Sequence, residues 1–201
     1  MPSPVRAVLF DFDGTITTRE MFADFMQFAV PPRRLAAGKI FFAPLVMGYK
    51  LGIVPANTIR ASVVNFGFRG VPATTVRQAG LEFSNGILPG VIRPMALERI
   101  QWHKAQGDKV VVVSGALDVY LSHWCSQHQV NLICSELAVD DGVLTGRYNG
   151  KQCVGKEKPR RILEKYNLRD FPVLYAYGDT KEDLDMLRLA DKRYFRWQEV
   201  K

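Results

Sequence analysis

Four short fragments carry residues whose types and spacing can do chemistry. Asp11-Phe12-Asp13-Gly14-Thr15 sets two carboxylates two residues apart. On extended chain such positions point to one face, so the pair repels unless one member is protonated or a cation joins them. A hard divalent ion with oxygen ligands meets that need, and an Asp-Gly turn with capping aspartates is an equal reading of the fragment taken alone. Ser114-Gly115 follows a valine run. A hydroxyl at a strand end, followed by glycine and a helix, can hold a phosphoryl oxygen with the helix N–H groups, or simply cap the helix. Residues 155–161, GKEKPRR, offer Lys156 and Lys158 at a helix start. Such a lysine can neutralise charge on a transferring phosphoryl group, although a charge run by itself reads as a solvated face. In Gly178-Asp179-Thr180-Lys181-Glu182-Asp183, Asp179 can join Asp11 on a metal, and Asp183, one turn on, can hydrogen-bond metal waters or Lys158. Thr180 with Asp183 also resembles a capping box.

The elements that would position these residues are legible around them. Short apolar, β-rich runs at residues 5–10, 109–113 and 173–177, and a weaker one at 132–134, read as buried parallel strands. Residues 94–106, 116–129, 158–166 and 180–190 have helical spacing. Strand–helix alternation predicts a doubly wound parallel sheet, which binds ligands at the carboxyl ends of its strands. Asp11, Ser114 and Asp179 each close a strand and should converge on one edge. Residues 17–87 are mostly helical in pattern and broken by Pro31-Pro32, Pro44, Pro55 and Pro72. The expected division is an α/β core, 1–16 with 88–201, and a helical insertion, 17–87. Asp141-Gly142 reads as a hairpin turn.

Composition narrows the class. Of 201 residues, 47% are hydrophobic, enough for one sizeable core, and the net charge is +7. The insertion holds eight basic and three acidic residues, so +5 of that charge. Without basic blocks interleaved with aromatics, nucleic acid is not an expected partner. Cys125, Cys134 and Cys153 show no metal-ligand spacing and suit a reducing, cytoplasmic compartment. The opening Met-Pro-Ser-Pro-Val-Arg lacks the pattern of an export signal. The most apolar stretch, 40–47 (IFFAPLVM), falls far short of the ~20 residues of a spanning helix.

Taken together, DxDGT, hydroxyl-Gly, Lys and GDxxxD in this order resemble the haloacid dehalogenase superfamily of phosphatases, and most of all its phosphoserine-phosphatase-like branch with a helical cap after the first motif. The resemblance implies a Rossmann-like core with an inserted α-helical cap, Mg²⁺ as cofactor, and phosphomonoester hydrolysis through an aspartyl phosphate. It implies that Asp11 is the nucleophile and Asp13 the general acid/base, with the Asp13 carbonyl on magnesium. Asp179 then completes the metal ligands and Asp183 supports them. Ser114, with Gly115, and Lys158 bind the phosphoryl group. Lys158 is preferred to Lys156 because the family lysine precedes an apolar helical position by about four residues, which Ile162 satisfies.

Glu20, nine residues after Asp11, resembles the glutamate that binds the substrate ammonium in phosphoserine phosphatases, with Arg60 or Arg69 as carboxylate partner. The expected substrate is a small anionic phosphomonoester, phosphoserine-like. A cap that is basic and apolar together also resembles the branch acting on lipid-headgroup phosphates such as phosphatidylglycerophosphate or lysophosphatidate, which leaves peripheral membrane contact open. A non-catalytic phospho-ligand binding module is the alternative of another class, and transfer to an acceptor alcohol a third outcome.

Overall fold

The computed structural model describes residues 5–200, so the first four of the six opening residues read for export signals lie outside the described residues. The chain runs β1 (Ala7–Phe10), α1 (Phe22–Ala29), α2 (Pro32–Phe41), α3 (Ala43–Lys50), α4 (Ala56–Phe68), α5 (Ala73–Gly86), α6 (Pro94–Ala105), β2 (Lys109–Leu117) and α7 (Asp118–His128). It continues through β3 (Asn131–Ser135), β4 (Leu137–Asp140), β5 (Val143–Tyr148), α8 (Glu157–Lys165), β6 (Leu174–Gly178), α9 (Leu184–Leu187), β7 (Lys192–Phe195) and β8 (Gln198–Val200). The main sheet has the order β3-β2-β1-β6-β7-β8, parallel except for β8, and β4-β5 form a separate hairpin. This is the α/β architecture expected from the strand–helix alternation.

Side-chain alternation explains why the strands read as unbroken apolar runs. Val8, Phe10, Val110 and Val112 enter one buried cluster, while Ala7, Leu9, Val111 and Val113 enter another on the opposite face. A strand buried on both faces has no polar positions to alternate. The prolines that punctuate the insertion mark helix starts. Pro32 opens α2, Pro44 is the second residue of α3, and Pro55 and Pro72 immediately precede α4 and α5. Proline suits these positions because the first-turn N–H has no helical partner to lose.

The insertion is not insulated from the sheet. Phe25, Met26, Val64, Phe68, Val76 and Phe83 share one cluster with Phe10, Tyr120 and Trp124. Gly80 of α5 lies so near α7 that an added Cβ would sit 1.8 Å from the Val119 carbonyl oxygen. Chain exit and return lie side by side, since Thr17 bridges Ile92 antiparallel. The β4-β5 hairpin turns at Asp141 and Gly142, both with positive φ, and pairs with the loop before α5 through Leu144 N–H to Val71 O at 2.9 Å.

Two helix boundaries and two additional strands differ from the sequence reading. The helix expected from residue 116 begins at Asp118, because β2 continues past Ser114 and re-pairs with β3 at Leu117 after a register shift. The helix expected over 180–190 is a single 3-10 turn, Lys181–Asp183, followed by the four-residue α9. β7 and β8 were not expected. Their turn holds Arg196 and Trp197 at φ of 51° and 66°, a left-handed pair for which turn rules look to Asn and Gly.

Candidate active site

The parallel register brings the motifs together. Phe10 is level with Val112 of β2 and Tyr177 of β6, so Asp11, Ser114 and Asp179 all emerge at the carboxyl end of the three central strands. The next elements after β1 lie on opposite sides of it, β2 to one side and β6 to the other, which opens a crevice at that end. A pocket there of about 230 Å³ is lined by Asp11, Asp13, Glu20, Arg60, Ser114, Gly115, Val154, Lys158, Asp183 and the Thr180–Lys181–Glu182 turn.

Lys158 is the buried hub of this crevice. Its Nζ donates to Asp11 Oδ1 at 2.6 Å and to Asp183 Oδ1 at 2.5 Å, while Lys156 stands exposed before α8. Burial opposes its charge, but the two carboxylates outweigh burial and hold the ammonium above the usual lysine range. Asp183 Oδ2 accepts from Asp179 N–H, Thr180 N–H and Thr180 Oγ1 at 3.0–3.1 Å, completing the capping box. Both Asp183 oxygens are therefore engaged by protein donors. Gly178 lets this residue approach, since a Cβ there would fall 2.5 Å from that of Asp183.

Carboxylate oxygens of Asp11, Asp179 and Asp183 lie within 4.8 Å of one another. Burial, with Asp183 nearby and against the pull of Lys158, pushes Asp11 up to about 8. Burial also raises Asp179, although Thr15 Oγ1 donates to its Oδ1 at 3.1 Å. One lysine thus faces more negative charge than it can offset, and the donors are all hard oxygens. That set fits a divalent cation such as Mg²⁺. With Asp183 occupied, Asp11 and Asp179 are the side chains with oxygens to offer it. Gly14 keeps the space around them. It stands at φ +80°, and a Cβ there would meet Asp179 Oδ2 at 2.3 Å.

Asp13 turns away from this cluster and accepts from Met21 N–H at 3.1 Å, at the entry to α1. Burial pushes its carboxyl up to about 7, Glu20 adding to the effect and Arg60 opposing it. Ser114 is buried and its Oγ accepts from Ala116 N–H at 3.1 Å. The α7 N-terminus expected directly behind it is displaced to Asp118, because extended chain is needed where Gly115 passes under Val154 and Arg60. A Cβ on Gly115 would meet Val154 Cγ1 at 2.6 Å and Arg60 Nη1 at 3.1 Å.

Of the two arginines weighed as partners for Glu20, the fold brings in Arg60. Its Nη2 lies 3.1 Å from Glu20 Oε2, and its guanidinium stacks 5.6 Å over the Phe22 ring. Arg69 lies instead against Gly146 of β5. Three residues at the crevice were not singled out from sequence. Val154 forms part of its wall. Arg196 Nε donates to Asp179 O and Trp197 Nε1 to Thr15 O, both at 3.1 Å, so the β7-β8 turn holds two of the site loops. Only their positive φ marks them, and that is not visible in a sequence.

A cluster of carboxylates around one buried lysine, at the carboxyl ends of a parallel sheet, defines a class of hydrolase. The family model for haloacid dehalogenase-like hydrolases matches residues 8–188, and the chain belongs to that family. Among curated relatives it is 28% identical over 197 residues to protein CicA of Caulobacter vibrioides, covering 94% of this chain and 85% of that protein. Among solved structures, a Bordetella pertussis Tohama I protein of unknown function superposes with a TM-score of 0.81 at 20% identity, over 96% of this chain and 90% of the other. A phospho-aspartyl intermediate analogue of phosphoserine phosphatase superposes with a TM-score of 0.64 at 23% identity, over 96% and 87%. The fold is thus that of the phosphoserine-phosphatase-like phosphatases of this family. Among the described residues no helix is long and apolar enough to cross a membrane.

Proposed function

We propose that the chain hydrolyses a small anionic phosphomonoester in a Mg²⁺-dependent reaction through an aspartyl phosphate on Asp11. The observation that carries this reading is the buried Lys158 held between Asp11 and Asp183 on the floor of a pocket that also contains Ser114. A binding module needs no buried carboxylate aimed at its ligand. Asp11 and Asp179, with the Asp13 carbonyl, would hold the cation, and Mg²⁺ when bound would offset charge on the phosphoryl oxygens and on the attacking carboxylate.

The protein's own groups then account for two displacements. A carboxylate oxygen of Asp11 attacks phosphorus and the bond to the leaving oxygen breaks, while Asp13 gives that oxygen its proton. In the second step Asp13 takes a proton from water as the water attacks phosphorus. Phosphate leaves and the Asp11 carboxylate is restored. Lys158 and the Ser114 hydroxyl steady the phosphoryl oxygens throughout.

For the leaving group, Glu20 facing Arg60 at the pocket mouth supports a zwitterionic substrate such as phosphoserine, an ammonium on Glu20 and a carboxylate on Arg60. A second reading has its own support. A cavity of about 1110 Å³ with Phe41, Phe42 and Phe66 in its wall shares Val154 with the phosphate pocket, which suits a bulkier apolar leaving group on a lipid-headgroup phosphate. The test of the reaction is para-nitrophenyl phosphate turnover with Mg²⁺ and with excess chelator, for the native chain and for Asp11→Asn. Chelator and substitution should each abolish turnover. An Asp11→Asn enzyme within about tenfold of native, only ~1.4 kcal/mol on the barrier, would be too active for a lost covalent nucleophile.

A further inference from the structure

Helices α2 and α3 follow one another almost without interruption. Phe42 N–H bonds to Gly38 O and Val46 N–H to Phe42 O, both at 2.8 Å. One side of this pair packs on α4. Gly38 lies so close that an added Cβ would sit 3.0 Å from the Phe66 ring, and Leu35, Phe42 and Leu45 on that side are partly buried. The other side carries Ile40, Met47 and Leu51, spaced i, i+7 and i+11, with Phe41 and Ile53 alongside. Their exposures are 81% for Ile40, 71% for Phe41, 59% for Met47, 67% for Leu51 and 74% for Ile53. A solvated helix face is ordinarily polar, and a continuous exposed apolar patch marks a surface that is covered in use.

Charge distinguishes among coverings. From residue 25 to residue 81 the sequence contains no carboxylate and seven basic residues, four of which (Arg33, Arg34, Lys39 and Lys50) belong to α2 and α3. A second copy docked through these helices would bring together two basic segments that contain no carboxylate, with Arg33 exposed in each and Arg34 turned to Gly67 O of α4 at 3.0 Å, which disfavours self-association. An anionic bilayer satisfies both features. Its acyl boundary takes isoleucine, phenylalanine and methionine, and its headgroups attract the basic positions next to them in sequence. We infer that the outer face of α2 and α3, with the turn to Ile53, is a docking surface for an anionic lipid bilayer. Contact is peripheral, since these helices have ten and eight residues. Phe41 belongs both to this face and to the cavity beside Val154, so docking sets that cavity at the bilayer surface.

The test is co-sedimentation of the full chain with vesicles of phosphatidylcholine alone and of equal parts phosphatidylcholine and phosphatidylglycerol. Binding is expected only to the mixed vesicles. The triple substitution Ile40→Ser, Met47→Ser, Ile53→Ser should weaken it about tenfold or more, and Lys39→Gln and Lys50→Gln about fivefold each. All three apolar side chains are exposed, so folding and para-nitrophenyl phosphate turnover in solution should be unchanged. Equal binding to both vesicles, or undiminished binding by the triple variant, would overturn the inference. So would a native dimer that the triple variant converts to monomer, which would make the face a self-interface. Binding is read without turnover, so its failure and that of the hydrolase reading are separable.

Discussion

At the scale of single residues the site is an exercise in charge placement. Lys158 is buried between two carboxylates, and Lys156, two positions earlier, points to solvent. Lys158→Ala should therefore reduce turnover about 10²–10³-fold, the loss typical of removing one group that stabilises developing charge, whereas Lys156→Ala should stay within about twofold. Melting curves on both variants separate a catalytic loss from unfolding, and the reverse ranking would remove Lys158 from the proposed role. Glu20 supplies the second residue-scale prediction. If it receives an ammonium, Glu20→Ala should lose about tenfold more activity on phosphoserine than on para-nitrophenyl phosphate, which is the size of one charge-assisted hydrogen bond. Comparable losses on the two substrates would leave Glu20 as no more than a partner for Arg60.

At the scale of elements, the geometry rests on how the insertion is seated. Gly80 of α5 is the tightest crossing, with the Val119 carbonyl of α7 where a Cβ would be. Two effects of Gly80→Ala compete. Alanine favours the helix by up to ~1 kcal/mol, while overpacking against backbone costs about 1–3 kcal/mol or more. At 1.8 Å the contact cannot be relieved by a rotamer change, so the variant should be destabilised by about 2 kcal/mol. Gly86, at the end of the same helix, has nothing within 4 Å of an added Cβ. Gly86→Ala should leave stability unchanged or slightly raised. Urea denaturation of the pair tests the seating directly, and equal midpoints would mean that α5 does not press on α7.

At the scale of the whole molecule, a buried polar network ties the far side of the sheet to α6. The carboxylate of Asp108 accepts from Arg6 at 2.7–2.8 Å and from His103 Nδ1 at 2.8 Å. Since a carboxylate only accepts, Nδ1 carries the proton, and Nε2 of the neutral ring accepts from Tyr177 OH at 3.0 Å. Burial holds His103 below its ordinary 6.5, with Arg99 and Arg6 adding to the effect and Asp108 opposing it. Burial would raise Asp108, but Arg6 and His103 together keep it below the usual carboxylate range. The sign follows by linkage. Below about pH 6.5 the unfolded chain binds a proton at His103 that the folded chain refuses, so the His103 contribution to stability falls as pH drops through that range. His128, also lowered by burial, acts in the same sense, and the Asp108 contribution is lost only at lower pH. The raised carboxyls of Asp11 and Asp13 act in the opposite sense over the same range, so the test is read at the residue itself: the His103 imidazole should titrate below 6.5 by NMR. A His103 midpoint above 6.5 would contradict the neutral buried ring.

The sequence by itself determined the chemistry available and the order in which it occurs along the chain. Aspartates beside strand-forming runs are legible because a buried strand must be apolar throughout and its first polar residue marks its end, as at Asp11 and Asp179. The hairpin at Asp141-Gly142 is legible because left-handed backbone selects those residue types. Register, and what crosses between distant segments, belong to the tertiary structure. Residue type at 60 and 69 is the same, yet only the path of α4 brings Arg60 to Glu20. The extension of β2 past Ser114 arises from pairing with β3 and from the room that Gly115 leaves for Val154, neither of which is local. β7 and β8 were missed because their turn puts Arg196 and Trp197 in a conformation their own side chains disfavour, held there by hydrogen bonds to Asp179 and Thr15 and by packing of Trp197 beside Phe10 and Tyr177. A conformation sustained by distant partners leaves no mark in the residues that adopt it, and these two hold the loops on which the site depends.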